Sequence, residues 1–246
     1  LTGAKLMQPV KGLFRGRLGA MLSMTPVSIP APSRLTSRRR HQAEGVRKKR
    51  VVLMTGCAQK VLSPEINDAT IRLLTRHGVE VIIPQEAGCC GALTLHMGKE
   101  EAARSFAARN IRAFAREQAG EGLDAIIINT SGCGTTVKDY GNLFAHDANP
   151  ELLRQAKEVA AITCDITEFM SRIKIKAADG IPALTVAYHS ACSLQHGQKI
   201  REEPKDLLRR AGFSVTDIPE SHICCGSAGT YNLLQPELAD RLKARK

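Results

Sequence analysis

Gly88-Cys89-Cys90-Gly91 and Ile223-Cys224-Cys225-Gly226 are the stretches on which the reading of this chain turns. Each adjacent pair of cysteines is followed by a glycine. Each is preceded by a lone cysteine, Cys57 or Cys192, at the same remove of 31 intervening residues. The lone cysteines close apolar runs, Val51-Val52-Leu53-Met54 before Cys57 and Leu184-Thr185-Val186-Ala187-Tyr188 before Cys192. Between lone cysteine and pair, both halves carry a glycine, a β-prone run and a proline, Gly78 to Pro84 and Gly212 to Pro219. Self-similarity at a fixed spacing points to a duplicated structural unit.

The surrounding pattern is α/β. Val51–Thr55, Val79–Pro84 and Asp124–Thr130 are apolar without polar alternation, as strands covered on both faces are. Between them, Pro64 to about His77 reads as a helix with Ile66, Ala69, Thr70, Leu73 and Leu74 at helical spacing, stopped at Gly78. Lys99–Gln118 is the longest expected helix, with Ala102, Ala103, Phe106, Ala107, Ile111 and Phe114 inward. The second half predicts a strand over 184–188, a helix over 203–211, a strand over 213–218 and a helix from Pro236. The expected fold is therefore two tandem, similar Rossmann-like α/β units with short parallel sheets, the cysteines sitting on loops at the strand carboxyl ends, where open sheets bind ligands. The expected division is 51–180 for the first unit and 181–246 for the second. The place equivalent to Cys133 in the second copy falls beyond Lys246, and the chain opens on Leu1. These two features predict a C-terminally incomplete second unit and a piece of a longer protein.

Charge is unevenly distributed. Of a net +11, residues 1–50 hold all: twelve Lys/Arg against the single acid Glu44, while 51–246 carry 23 of each sign. A basic arm on a neutral body, with no nucleic-acid-binding motif, argues against nucleic acid as a partner. Residues 1–50 read as a basic linker or docking segment. Within it, 5–24 could form an amphipathic helix (Leu6, Met7, Val10, Leu13, Leu18, Met21, Leu22) for a partner or an anionic membrane surface, and 36–50 read as a solvated connector. No run of 18 or more apolar residues is present, and no signal peptide is visible.

Eight cysteines in a chain of this size and composition point to metal or redox chemistry more than to disulfide staples. Four thiols converging from three loops, Cys57, Cys89, Cys90 and Cys133, suit an iron–sulfur cluster or a tetrahedral zinc. There is no CxxC knuckle, and adjacent cysteines reach two irons of a cluster more easily than one small ion. Cys192, Cys224 and Cys225 form the matching, incomplete second set. The plain alternative is buried structural thiols or a redox disulfide, which leaves the repeated spacing without a cause. Cys164 has no counterpart and reads as a packed free thiol. His189 and His222 are near enough to serve as substitute ligands or donors, and His96 follows Cys90; a loop histidine is the plain reading of each. No nucleotide loop, catalytic triad or HExxH pattern occurs.

These two units resemble the cysteine-rich (CCG) domain found twice in a subunit of the heterodisulfide reductases. Cys90-Gly91-Ala92-Leu93, Thr130-Ser131-Gly132-Cys133-Gly134-Thr135-Thr136-Val137-Lys138-Asp139-Tyr140 and Cys225-Gly226-Ser227-Ala228-Gly229-Thr230-Tyr231-Asn232-Leu233-Leu234-Gln235-Pro236-Glu237 resemble the iron–sulfur subunits of glycolate oxidases. The resemblance covers 51–246. It implies an electron-transfer subunit of an oxidoreductase complex in the cytoplasm or on the inner face of its membrane. It further implies a [4Fe-4S]-type cluster on the seven cysteines, with FAD and the substrate site in partner subunits. Glycolate would go to glyoxylate and electrons towards quinone. One position departs: where the heterodisulfide reductase pattern ends in CxxC, only Cys133 stands here, one thiol short of that relative's five-cysteine site. Lactate and glycerol-3-phosphate dehydrogenase subunits share such ligands, and a thiol–disulfide enzyme or a non-redox scaffold are the readings from other classes.

Overall fold

The computed structural model describes residues 13–14, 16–26, 28–175, 180 and 182–246. Five strands form one sheet: β1 (Arg40–His41), β2 (Lys49–Met54), β3 (Val79–Ile82), β4 (Ala125–Ile128) and β5 (Thr163–Asp165), in the order β1-β3-β2-β4-β5. All neighbours are parallel except β1, which runs antiparallel to β3 at the edge. Val51 faces Val81 on one side and Ala125 on the other, so β2 is central.

Both faces are covered, which is why these strands read as unbroken apolar runs. Counting helices of six residues or more, α1 is Gly16–Ser23, α2 Pro64–Arg76, α3 Glu100–Ala119, α4 Ser131–Lys138, α5 Pro150–Ile162 and α6 Ile166–Ser171. Val52, Met54, Ile126 and Ile128 pack under α3 and α5 with Ile111, Phe114, Ala156 and Val159. Val51, Leu53, Val81 and Ile127 face the opposite layer, with Ile71 and Leu74 of α2 and Phe169 and Met170 of α6. At about 1.5–3 kcal/mol per buried aliphatic side chain, this two-sided burial dominates the stability of the unit.

Two sequence expectations shift here. The inward face of α2 is Asn67, Thr70, Ile71, Leu74 and Thr75, whereas Ile66 and Leu73 are exposed. Along α3, Ala103, Ala107, Ile111 and Phe114 are buried as expected, but Ala102 is exposed and Phe106 half-buried. Four further elements, β1, α4, α5 and β5, are not read from the sequence, and Cys133, expected on a loop, sits in the first turn of α4 because the chain turns helical directly after β4.

The basic segment 36–50 is not a solvated connector. Arg40–His41 extend the sheet, and the arginines converge on acids of the main body. Glu80, with a side chain 3% exposed, takes Arg40 at 2.5 Å and Arg47 at 2.8 Å. Glu117 takes Arg39 at 2.6 Å and the buried Arg50 at 2.8 Å. Glu121 joins Arg40 and Arg47 at the rim. Of the expected N-terminal helix, Leu6, Met7 and Val10 lie outside the described residues. Its described part, α1, buries Leu22 and leans on Tyr231–Leu234 and α8 (Pro236–Arg245).

Beyond residue 182, β6 (Thr185–Tyr188) and β7 (Ser214–Asp217) pair in parallel, joined through α7 (Glu203–Arg210) and followed by the Cys224-Cys225 loop and α8. The element order matches that from β2 to α3, but both strands here are mainly exposed. This part rests on the first through α7, which packs against α6, and through Ser193–Gly197, a π-helical turn lying on α4.

Candidate functional site

Strands β2, β3 and β4 end at one edge of the sheet, and because the chain winds outward in both directions from β2, that edge is the topological switch point. The loop after β2 carries Cys57, the loop after β3 carries Cys89 and Cys90, and β4 leads into α4 with Cys133 in its first turn. The structure brings these four thiols together in two pairs, Cys57 Sγ to Cys89 Sγ at 3.6 Å and Cys90 Sγ to Cys133 Sγ at 3.1 Å. Cys57 is exposed, Cys89 and Cys133 are half-buried and Cys90 is buried, so the group runs from the surface inward.

A polar network holds the β2 and β4 loops in register. The amide of Gln59 donates to Asn67 at 2.9 Å and to Asn129 at 2.6 Å, while Thr130 donates back to Gln59 at 2.6 Å. Asn67, fully buried, donates to the Thr55 carbonyl at 2.9 Å. Of the polar residues turned inward on α2, Asn67 thus serves the loop that carries Cys57, and Thr70 accepts from Asn129 after β4 at 2.9 Å.

The Cys89-Cys90 loop is fixed from below. Asn110 of α3 accepts from the Gly88 amide at 2.8 Å and donates to the Cys89 carbonyl at 2.8 Å and to the Tyr140 hydroxyl at 3.2 Å. Tyr140 donates to the Cys90 carbonyl at 2.9 Å. Both side chains are fully buried. Above them, the Gly91 amide points at Cys89 Sγ and the Ala92 amide at Cys90 Sγ, each at 3.4 Å. Gly91 has φ +88°, and a Cβ there would come within 2.9 Å of the Ala103 carbonyl oxygen. Glycine is required by both backbone conformation and helix contact. Gly226 repeats this, with φ +77° and a Cβ position 2.6 Å from the Ala239 carbonyl oxygen, and its amide donates to Cys224 Sγ at 3.3 Å.

The thiols perturb one another. The hydrogen bond with Cys133 outweighs burial and holds the Cys90 thiol down at about 7. Cys133 is pushed well above its ordinary range, by that same contact and then by burial. Burial raises Cys89 to about 11. Cys164, buried in β5, is pushed up to about 12 by burial and takes no part in the group.

Of the second set, Cys192, Cys224 and Cys225 are half-buried, and among the described residues no sulfur–sulfur hydrogen bond joins them. Cys192 opens onto a cavity of about 880 Å³ between the two parts, whose walls include Gly132, His96, His196 and Tyr231. Ser193 Oγ donates to Ser131 Oγ at 2.8 Å and Gln198 donates to the Ser131 carbonyl at 2.9 Å, which sets this turn against the first site. His189 and His222 are exposed. Sequence reasoning missed Asn110, Tyr140, Gln59, Asn67 and Asn129. Their only sequence signal is a polar residue at an inward helical position, visible for Asn110 one place before Ile111.

The donor set fits an iron–sulfur cluster. It offers sulfur alone, from two loops and the first turn of α4, with backbone amides aimed at two of the sulfurs, the kind of hydrogen bond that tunes thiolates around iron. Among the described residues no three His, Cys, Asp or Glu side chains are arranged to hold a single metal ion. The thiols lie in two pairs, an arrangement suited to ligands shared among several irons.

The cysteine-rich domain family (CCG) matches residues 51–138 and 186–246. The chain is 40% identical over 199 residues to the glycolate oxidase iron-sulfur subunit of Escherichia coli, covering 81% of this chain and 48% of that protein. It is 31% identical to the probable glycolate oxidase iron-sulfur subunit of Bacillus subtilis, covering 80% and 44%. It is 26% identical to lactate utilization protein A of Shouchella clausii, covering 80% of each. The chain thus spans about half the length of the first two of these relatives.

Proposed function

The chain belongs to the cysteine-rich (CCG) domain family, and from that membership we propose that it is the iron–sulfur electron-transfer part of a flavin-dependent glycolate oxidase. Residues 51–180 and 181–246 would be its two cysteine-rich domains, the first extended by β1. Cys57, Cys89, Cys90 and Cys133 would hold one cluster, of [4Fe-4S] type. Cys192, Cys224 and Cys225 would contribute to a second. The observation that carries this reading is the meeting of four thiols from three strand ends, with main-chain amides aimed at two of the sulfurs.

When bound, such a cluster supplies one-electron storage. The chain's own residues supply the rest. Cys57 stands at the surface, where a redox partner can approach, and Cys90 is buried against Cys133. Asn67, Gln59 and Asn129 hold the first and third loops at fixed separation. No catalytic acid, base or nucleophile is assigned to this chain. The substrate site and FAD would belong to partner subunits, which oxidise glycolate to glyoxylate, with electrons leaving towards quinone. No helix of the described residues is long and apolar enough to cross a membrane. Contact with the cytoplasmic face of the membrane would therefore be peripheral, and exposed Leu18 and Met21 of α1 support it.

The test is anaerobic mixing of the purified complex with glycolate or lactate while the cluster is followed by visible absorption and EPR. Reduction by glycolate, faster than by lactate, is expected. Preference for lactate would reassign the substrate, and no reduction by either 2-hydroxy acid would overturn the reading.

A further inference from the structure

The hydrogen bonds under the first cysteine pair form a directed chain. Asn110 Nδ2–H donates to the Tyr140 hydroxyl at 3.2 Å, and that hydroxyl donates to the Cys90 carbonyl at 2.9 Å. The Cys90 carbonyl and the Gly91 N–H belong to one peptide group. That N–H donates to Cys89 Sγ at 3.4 Å. A donor on a carbonyl withdraws charge through the peptide and makes its N–H a stronger donor, and such chains polarise cooperatively in a low-dielectric interior. Both side chains are fully buried, so water does not compete.

A like spacing recurs in the second half, there at the residue that caps α8. Asn110 lies seven residues after Ala103, the residue that Gly91 abuts. Lys246 lies seven after Ala239, the residue that Gly226 abuts. Lys246 Nζ donates to the Ser221 carbonyl at 2.8 Å and to the Ile223 carbonyl. Each cysteine pair is therefore held from the helix that follows it, by a neutral amide in one half and a cation in the other.

We propose that Tyr140 and Asn110 are positioning residues that set the electron affinity of the group bound by the first cysteine set, acting through the Cys90–Gly91 peptide on the Cys89 sulfur. The proposal rests on the iron–sulfur reading above. An N–H donor on a thiolate sulfur draws charge off the cluster and favours its reduced form. Weakening the chain should therefore make the first site harder to reduce.

The experiment compares two variants of the anaerobically purified protein by redox titration with EPR detection. Tyr140→Phe removes the hydroxyl and keeps the ring; its first-site midpoint potential is expected to move negative, with iron and sulfide content unchanged. Replacement of Tyr140 by 3-fluorotyrosine strengthens the donor and is expected to move the potential positive. Opposite shifts are not produced by a merely structural role. If Tyr140→Phe fails to fold or to hold iron, the fluorinated variant alone decides. A potential unmoved, or moved the same way by both changes, overturns the relay. Absence of iron and sulfide from the unaltered protein instead overturns the iron–sulfur reading, and the proposal falls with it.

Discussion

Gly91 concentrates what the site asks of a single residue: a left-handed backbone, contact with α3 and an amide aimed at Cys89. Gly91→Ala should cost about 1–3 kcal/mol from the backbone alone, before the collision with Ala103 is relieved. We expect a lower melting temperature together with loss of bound iron; an alanine variant with full iron content would show that the loop is not so constrained. Asn67 is a comparable case in the β2 loop. Truncating it to alanine takes the side-chain donor from the Thr55 carbonyl and one acceptor each from the Gln59 and Asn129 amides, which keep Asn129 and Thr70. Each buried group left without a partner costs about 1–3 kcal/mol, readable in chemical denaturation. A loss below a few tenths of that would contradict the network. The cysteines are legible as a group because their spacing repeats. Tyr140 is not, and Asn110 shows only as a polar residue at an inward helical position, which does not say what it clamps.

Among the elements, the strands are the most legible. Val51–Met54 and Ile126–Ile128 are apolar on both faces because helices cover both faces. The arginine-rich segment misleads because its partners Glu80, Glu117 and Glu121 lie 30 to 81 positions away. A run of like charge looks solvated until the fold supplies the opposite sign. Glu80→Ala, which removes the buried carboxylate shared by Arg40 and Arg47 while Arg50 keeps Glu117, should destabilise the first unit by about 1–3 kcal/mol through the lost charged hydrogen bonds. An unchanged denaturation midpoint would mean that the edge is not held this way. The start of α5 is written in Asn149-Pro150, an N-cap whose side chain accepts from Glu151 and Leu152 followed by proline at the first turn. Strand β5, three residues long, carries too little pattern to read. At its end Asp165 caps α6 through Thr167, and burial raises its carboxyl above the usual range. The folded chain therefore holds that proton more tightly than the unfolded chain, so this group removes stability as pH rises from its ordinary value through its raised one. Asp165→Asn keeps an acceptor for the cap without the charge. Its melting temperature relative to the parent should climb between pH 4 and 8; a constant or falling difference would contradict the assignment.

At the scale of the molecule, two element series of the same order meet where the first places its four thiols. Ser131, Ser193 and Gln198 join the halves beside Cys133 and Cys192. The first part is a five-stranded sheet buried on both faces, whereas the second, within 182–246, is two strands that remain largely exposed. The assignment of the cysteines is tested most directly by counting iron and acid-labile sulfide on anaerobically prepared protein, alongside the variant carrying Cys89→Ser and Cys90→Ser. We expect about four of each per occupied [4Fe-4S] site, a cluster EPR signal on reduction, and loss of the first site's share in the variant. Folded protein without iron or sulfide, with a fold and stability indifferent to the two substitutions, would leave the cysteines structural and contradict the electron-transfer role.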